Sequence, residues 1–190
     1  IYASGVGTLS RRAAVASGNA LLSQGVGVAP AWGAVVTPST ANTFTATQTF
    51  NGSTSAPALK LLNALEQVSI SATGATGTIA IDLSTQSVVY LTSSAAANWT
   101  LNFRLSSGTP LDTGMATGES VTAAVLVTQG ATAYYNSAVQ VDGTTVGVTT
   151  KWIGGAPTYG NVSSVDMYSY TIVKTGAGTF TVFASRASAT

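Results

Sequence analysis

The sequence predicts an all-β protein: an antiparallel β-sandwich or jelly-roll-like domain preceded by an extended segment that is charge-free from residue 13 onward. Apolar and polar residues alternate in short runs that indicate about eight to ten strands at roughly 8- to 12-residue spacing. Glycine and proline interrupt these runs, and no convincing amphipathic helix pattern is present. The texture changes near Pro57. We therefore predict two parts, a shaft or docking segment at residues 1–57 and a β-sandwich head at residues 58–190.

The low charge of the chain predicts self-association. Charged residues make up 7% of the 190 residues, against about 25% in ordinary soluble domains. Little electrostatic repulsion then keeps copies apart, so we expect a homo-oligomer. The seven Lys and Arg residues are scattered along the chain, which argues against nucleic-acid binding. No apolar run approaches the ~18 to 20 residues of a membrane-spanning helix, so no membrane insertion is expected.

The first segment has aromatic residues but no evident core. Residues 13–59 contain no charged residue and are punctuated by glycine and proline. Their apolar side chains come in groups too small to form a core. A flexible linker would not need Trp32, Phe44 and Phe50. We predict that these three aromatic residues form an oligomer interface or docking contact.

The strands of the second part are predicted from alternating faces. Residues 99–104 place Trp, Leu and Phe on one side and polar residues on the other, which is typical of a half-buried strand. Residues 120–127 show the clearest pattern of a central strand. Residues 106–118 are predicted to form a loop. Leucines in residues 59–65 have helical spacing, but the neighbouring pattern favours a strand.

Three turns predict β-hairpins. Gly74 and Gly77 separate two alternating runs, and residues 175–178 separate two runs near the end of the chain. The pair Asp142-Gly143 lies between two valine-rich runs. Glycine accepts the positive φ that a tight hairpin turn requires, so this pair is a strong hairpin signal.

The residue types exclude several kinds of catalysis. The chain has no His and no Cys, which excludes Ser-His-Asp triads and metal sites built on imidazole or thiolate. Its six acidic residues are well separated, and Asp112 with Glu119 is the pair that a fold could bring together. We expect no enzyme activity, no catalytic residues, no cofactor and no metal site, although calcium bound largely by backbone carbonyls stays open.

Aromatic residues near the predicted loops are candidates for glycan contact. Tyr and Trp offer a flat apolar face with a polar edge, which suits sugars and protein partners alike. The candidates are Tyr134, Tyr135, Trp152 and Tyr159. Tyr134 and Tyr135 would face opposite sides of a strand, so one of them at most joins a single patch. Packing in a core or an interface is the alternative role for most aromatic residues of the chain.

The sequence also resembles a known group of proteins. Residues 18–32, GNALLSQGVGVAPAW, are similar to the recurring pattern G-N-x-L-x-S-x-G-x-G-x-x-P-x-W of phage tail-fibre and related virion proteins. Residues 41–52, 61–83 and 127–143 resemble C-terminal domains of structural proteins from marine cyanophages. The resemblance implies a virion structural or fibre-like protein, commonly a homotrimer, and it supplies no catalytic residues.

Together these features lead to one main expectation and two alternatives. We expect a non-enzymatic tail or head fibre protein on the surface of a phage particle. It would assemble with itself, most simply as a homotrimer, contact other virion proteins and display its head for host adsorption. The alternatives are a carbohydrate-binding module that recognises host polysaccharide and a capsid decoration protein that cements the shell.

Overall fold

The computed structural model describes residues 2–5, 8–10, 19–34, 44, 46–50, 52–55 and 57–189. The chain divides into two compact units, Ile1–Leu62 and Asn63–Thr190. The sequence placed the division after Pro57. The described residues contain thirteen β-strands and one four-residue helix, which confirms the all-β prediction.

The described residues of the first unit form two small antiparallel sheets. Strand β1 (Tyr2–Gly5) pairs with β2 (Thr8–Ser10), and β3 (Asn19–Leu22) pairs with β4 (Ala31–Ala34). The loop between β3 and β4 has two glycines at positive φ. Among the described residues of this unit, no side chain whose exposure is known is buried.

The second unit contains nine strands and the helix. In chain order they are β5 (Val68–Gly74), β6 (Gly77–Asp82), β7 (Val88–Ser93), β8 (Trp99–Arg104), α1 (Leu111–Gly114), β9 (Ser120–Thr128), β10 (Asn136–Val141), β11 (Val148–Trp152), β12 (Val165–Gly176) and β13 (Thr179–Ala189). Six strands form a sheet in the order β11-β13-β12-β9-β7-β5, and three form a second sheet in the order β10-β8-β6.

The prediction of an antiparallel arrangement is wrong for most of this unit. Five strand pairs are parallel, namely β5–β7, β7–β9, β6–β8, β8–β10 and β11–β13. The pairs β12–β13 and β9–β12 are antiparallel. The cause is the chain path, because successive strands from β5 to β10 alternate between the two sheets. Strands two apart along the chain, such as β5 and β7, are therefore neighbours in one sheet and run in the same direction. A sandwich or jelly-roll arrangement stays a prediction.

The same path overturns two of the three predicted hairpins. The strands on either side of Gly74 and Gly77 belong to different sheets. At Asp142-Gly143 the tight turn forms, with φ of 52° and 80°, and Val141 and Thr144 exchange backbone hydrogen bonds of 3.1 Å. However, β10 and β11 then separate into different sheets. The third hairpin is confirmed, since β12 and β13 pair up to Gly176 opposite Thr179.

Two local predictions near the loops also change. Residues 59–65 form neither the favoured strand nor the competing helix. The leucines there are largely exposed: Leu59 54%, Leu61 64%, Leu62 87% and Leu65 102%. A seven-residue segment without packing is too short to form a stable helix. The predicted loop at residues 106–118 contains the single helical turn α1.

The core of the second unit draws side chains from both sheets. Trp99, Leu101 and Phe103 are at most 1% exposed, which confirms the predicted inward face of β8. On β9, Val125 and Val127 are fully buried, as the alternation predicted. One cluster contains these residues together with the buried side chains of the six-stranded sheet. Burial of large aromatic and branched side chains is the main stabilising contribution to such a core.

Candidate functional site

A buried polar network fixes the loops at one end of the six-stranded sheet. The side chain of Asp166 is fully buried, and its Oδ2 accepts hydrogen bonds from Gln129 Nε2 at 3.0 Å and from the Asn161 N–H at 3.2 Å. Asn161 Nδ2 donates to its Oδ1 at 2.6 Å. Gln129 also holds Tyr134, since it donates to the Tyr134 carbonyl at 2.7 Å and accepts from its N–H at 2.9 Å. The bonds to Asp166 tie two loops to strand β12, and the bonds between Gln129 and Tyr134 hold one loop in shape, which gives the network a structural role.

Arg186 links this network to the exposed loop at residues 153–159. Its Nη1 lies 4.0 Å from Asp166 Oδ2 and donates to the Tyr159 carbonyl. The guanidinium also lies 5.2 Å from the centre of the Tyr159 ring, within the range of a cation–π contact. Arg186 therefore positions Tyr159 on the surface.

Two buried tyrosines share one asparagine at the centre of the core. Tyr170 Oη donates to Asn136 Oδ1 at 3.2 Å, and the Asn136 N–H donates to Tyr168 Oη at 3.4 Å. Burial raises the pKa of Tyr168 to about 12 and raises the pKa of Tyr170 well above its ordinary value. Both phenols are therefore neutral near pH 7 and act as hydrogen-bonding core residues.

An ion pair attaches α1 to the sheet. Lys174 is 7% exposed, and its Nζ lies 2.9 Å from Asp112 Oδ1. The same Nζ donates to the Asp112 carbonyl and, at 2.9 Å, to the Met115 carbonyl. The pKa of Asp112 is lowered chiefly by the hydrogen bond from Lys174 and next by the Gly178 N–H. Glu119, the acidic residue that a fold could have brought close to Asp112, accepts from the Ala116 N–H at 2.7 Å.

The four predicted glycan contacts lie in different surroundings. Trp152 is half-buried, with its ring centre 6.3 Å from that of Tyr168 and 6.1 Å from that of Tyr170. Tyr134 is half-buried against the core, and the Tyr135 N–H donates to Asn98 Oδ1 at 3.1 Å. Tyr159 is 64% exposed. Of these four residues, Tyr159 presents the largest free aromatic face to a partner.

The three predicted docking residues are accessible to different extents. Phe44 is 52% exposed and Phe50 is 57% exposed. Trp32 is half-buried and lies opposite Leu21 in the β3–β4 pair. Phe44 and Phe50 therefore have apolar surface available for contact.

The six-stranded sheet carries an apolar surface on the side away from the core. One cross-strand row runs through five strands and consists of Ile70, Tyr90, Leu126, Met167 and Ala187. A second row contains Val68, Val88 and Ala124. We call these eight residues the outer apolar face. With neighbouring strands about 4.8 Å apart, the longer row spans about 19 Å.

Four residues of this face are exposed, namely Ala187 and three larger apolar residues. Ile70 is 71% exposed, Val68 is 42% exposed and Met167 is 41% exposed. In the same strand β5, Ser69 and Ser71 pair with the buried residues Val89 and Leu91 and therefore share their side of the sheet. Thus β5 turns its serines toward the core and its apolar residues outward. A solvated outer face would have the opposite pattern.

The sequences of two strands contain a signal for this face. Strands β7 and β9 read VVYLTS and SVTAAVLVT, with apolar residues at consecutive positions. Near-continuous apolar runs are typical of strands covered on both faces. The cross-strand row itself depends on register between distant segments, which alternation within one strand does not reveal.

Two kinds of site are absent from the part of the chain that the structure describes. No group of three or more acidic side chains there lies close enough together to hold a metal ion. No helix in that part is long and apolar enough to cross a membrane.

The described residues thus define an all-β protein with a structural polar network and an uncovered apolar sheet face. No protein-family model, no curated protein and no solved structure matches this chain.

Proposed function

We propose that this chain is a non-enzymatic structural component of a phage particle, a fibre or attachment protein that assembles as a homo-oligomer. In this proposal residues 63–190 form a two-layer β-sandwich head on the surface of the particle. The first unit serves as shaft or docking segment. The outer apolar face carries the assembly part of the proposal, and the sequence pattern of residues 18–32 supports the particle part.

The occupant that best fits the outer apolar face is a second copy of the same chain. None of its eight residues is charged, so two copies of the face meet without repulsion or buried unpaired charge. Contiguous apolar surface on a protein commonly marks an interaction site. Sheets pack face to face at about 10 Å when their side chains interdigitate. Exposed Phe44 and Phe50 add apolar surface that an oligomer can bury.

The ring contacts between the sheets support the sandwich part of the proposal. Phe103 on β8 lies 5.0 Å, centre to centre, from Tyr170 on β12. Such a contact joins the middle strand of the three-stranded sheet to an inner strand of the six-stranded sheet. With one face of the larger sheet packed in this way, its other face remains available for assembly.

Light scattering of the purified chain after size-exclusion chromatography tests the assembly. Three chains of 19.0 kDa give about 57 kDa, the mass expected if three copies of the face meet around one axis, as in the predicted homotrimer. Two faces packed directly against each other give a two-fold dimer of about 38 kDa, which also supports assembly through this face. The double substitution Ile70→Lys with Met167→Lys places charge on the outer apolar face and is expected to yield monomers with unchanged circular dichroism. The matched control is Val146→Lys, because Val146 is 80% exposed and lies in the turn between β10 and β11. A stable, soluble monomer of the unaltered chain would contradict the proposal.

Labelling of the particle tests the remaining part. Purified phage particles would be imaged after binding of gold-labelled antibodies raised against residues 63–190. Label on fibres of the tail or head is the expected result. Label distributed uniformly over the capsid shell would indicate a decoration protein instead. Complete absence of label from the particles would refute a virion role.

A further inference from the structure

A polar cleft opens beside the end of β8, away from the outer apolar face. Its volume is about 300 Å³, at the lower end of the roughly 300–1,000 Å³ typical of small-molecule sites. Asn102 and Arg104 of β8 line it together with residues 106–110 and the turn at Asp142 and Gly143. The cleft is therefore bounded by the end of β8 with the loop that follows it and by a turn about 40 residues further along the chain.

The two loop segments around the cleft are held by hydrogen bonds within the protein. Ser106 and Thr109 exchange backbone hydrogen bonds of 3.0 and 3.3 Å. The carboxylate of Asp142 accepts the Leu111 N–H at 2.6 Å and the Asp112 N–H at 3.0 Å. A preformed site of this kind loses little conformational entropy when a ligand binds.

Asn102 contributes a side-chain amide whose amino group has no hydrogen-bond partner among the described residues. The residue is 8% exposed, and its Oδ1 accepts the Gly143 N–H at 2.7 Å. Its Nδ2 donates no hydrogen bond to any residue that the structure describes. Among the described residues, the side-chain polar atoms that are buried without a partner are Trp99 Nε1 and Thr128 Oγ1. The amino group of Asn102 is not one of them, so it is accessible to a molecule in the cleft.

Further free donors surround this amide. Arg104 uses Nε to bind Asp82 Oδ1 at 2.5 Å, and neither of its Nη atoms forms a hydrogen bond within the described residues. The hydroxyls of Ser106, Ser107 and Thr109 likewise have no partner there. A hydroxyl can donate as well as accept. The cleft therefore offers several hydrogen-bonding groups within one small volume.

The charges and the lining decide which ligand class fits. Arg104 contributes +1, while Asp82 and Asp142 contribute −1 each, so the local sum is −1 and an anion is disfavoured. A metal cation is disfavoured because both oxygens of Asp142 already accept N–H groups and Arg104 lies nearby. Pro110 is the one apolar side chain of the lining, which disfavours a lipid or an aromatic ligand. A neutral molecule with several hydroxyl groups satisfies all three conditions.

We propose that the cleft formed by Asn102, Arg104, residues 106–110 and the Asp142-Gly143 turn binds one residue of a neutral sugar. This inference deepens the attachment role and rests on the proposed function for its biological meaning. Vicinal sugar hydroxyls would accept from Asn102 Nδ2 and Arg104 Nη and exchange hydrogen bonds with the serine hydroxyls. Without an aromatic platform each contact is weak, and an oligomer that presents several clefts gains by multivalency.

Amide chemical shifts in two-dimensional NMR provide the test. The full chain would be titrated separately with glucose, galactose, mannose and N-acetylglucosamine, and in parallel arms with glucuronate and inorganic phosphate. Saturable shifts of residues 102–110 and 142–143 with at least one neutral sugar are expected. Shifts with an anionic probe alone, or with none of the six probes, would overturn the proposal.

Two variants connect binding to the named groups. Asn102→Asp keeps an oxygen for the Gly143 N–H but removes the amino donor, and Ser107→Ala removes a hydroxyl without a partner. Each is expected to weaken the binding of the neutral sugar at least fivefold. Ser188→Ala, on an exposed position of β13, is the matched control and should leave the affinity unchanged. Equal affinity in all three variants would refute the assignment.

Light scattering on the same samples separates this inference from the proposed function. An intact oligomer without sugar binding would refute the cleft and leave the assembly proposal standing. A monomer that binds sugar would refute the assembly proposal and leave the cleft assignment standing.

Discussion

Trp99 and Tyr168 meet edge to face across the two sheets, with ring centres 5.6 Å apart and planes inclined at 82°. Both side chains are at most 1% exposed. Aromatic pairs in this geometry contribute about 0.5–1.5 kcal/mol beyond the burial of their area. This contact therefore helps to fix the three-stranded sheet on the six-stranded one.

Two substitutions of Trp99 should distinguish the stability contributed by its buried volume from the cost of its unpaired indole N–H. Trp99→Ala leaves a cavity and is expected to lower the free energy of unfolding by about 3–5 kcal/mol. Trp99→Phe should cost clearly less, because Nε1 of Trp99 is buried without a hydrogen-bond partner among the described residues. Urea denaturation measures both values. Equal losses in the two variants would contradict this account.

The buried tyrosines predict unfolding at alkaline pH. Because the pKa of Tyr168 is raised to about 12 and that of Tyr170 is raised well above its ordinary value, in both cases chiefly by burial, the folded state favours their neutral forms. Their contribution to stability is complete below pH 10 and is lost as the pH rises through the folded pKa values. Tyrosinate absorbance and circular dichroism should be followed together during an alkaline titration. Two tyrosines should ionise only at the pH where the fold is lost. Seven tyrosines ionising near pH 10 in an intact fold would contradict this.

The contact between Asp112 and Lys174 predicts a loss of stability in acid. The pKa of Asp112 is lowered in the folded state below 3.8, so its contribution is present above that pH and is lost as the pH falls through the folded value. Thermal midpoints measured between pH 7 and pH 2 should therefore decline less steeply below about pH 4 in Asp112→Asn than in the unaltered chain. Lys174→Met should flatten the same part of the curve, since Lys174 is the main cause of the lowered pKa.

Gly147 is expected to tolerate no side chain. Its φ is +76°, and an added Cβ would clash with the carbonyl oxygen of Gly178. Gly147→Ala should therefore lower the free energy of unfolding by at least about 1–2 kcal/mol, the approximate cost of left-handed backbone for other residues. Gly108→Ala is the control, because nothing lies within 4 Å of its added Cβ, and a change within about 0.5 kcal/mol is expected there. Chemical denaturation compares the two.

Local sequence patterns predicted where the strands lie and which side is buried better than they predicted which strands pair. The alternation in residues 99–104 and 120–127 correctly identified the core faces of β8 and β9, because side chains of a strand alternate between its two faces. The turn before Thr179 was also predicted, since a short glycine-rich connection closes a hairpin locally. These features depend on residues close together in the sequence.

The same local patterns could not predict to which of the two sheets each strand belongs. The turn at Asp142-Gly143 has the geometry of a hairpin, yet Val148 pairs with Phe180 rather than returning along β10. The outer apolar face and the cleft at Asn102 depend equally on contacts between distant segments. Alternation specifies which side of a strand is apolar, but a surface requires the register of several strands.

The alternation of the chain between two sheets also has a consequence for the order of folding. Within residues 63–189, β12 and β13 are the only consecutive strands that pair with each other. Their ladder closes across a two-residue connection, whereas Val88 must find Ala124 before β7 and β9 can pair. Closing longer loops costs more chain entropy and slows folding. The β12–β13 hairpin is therefore the natural nucleus, on which β9 and β11 dock from either side before the parallel strands are added.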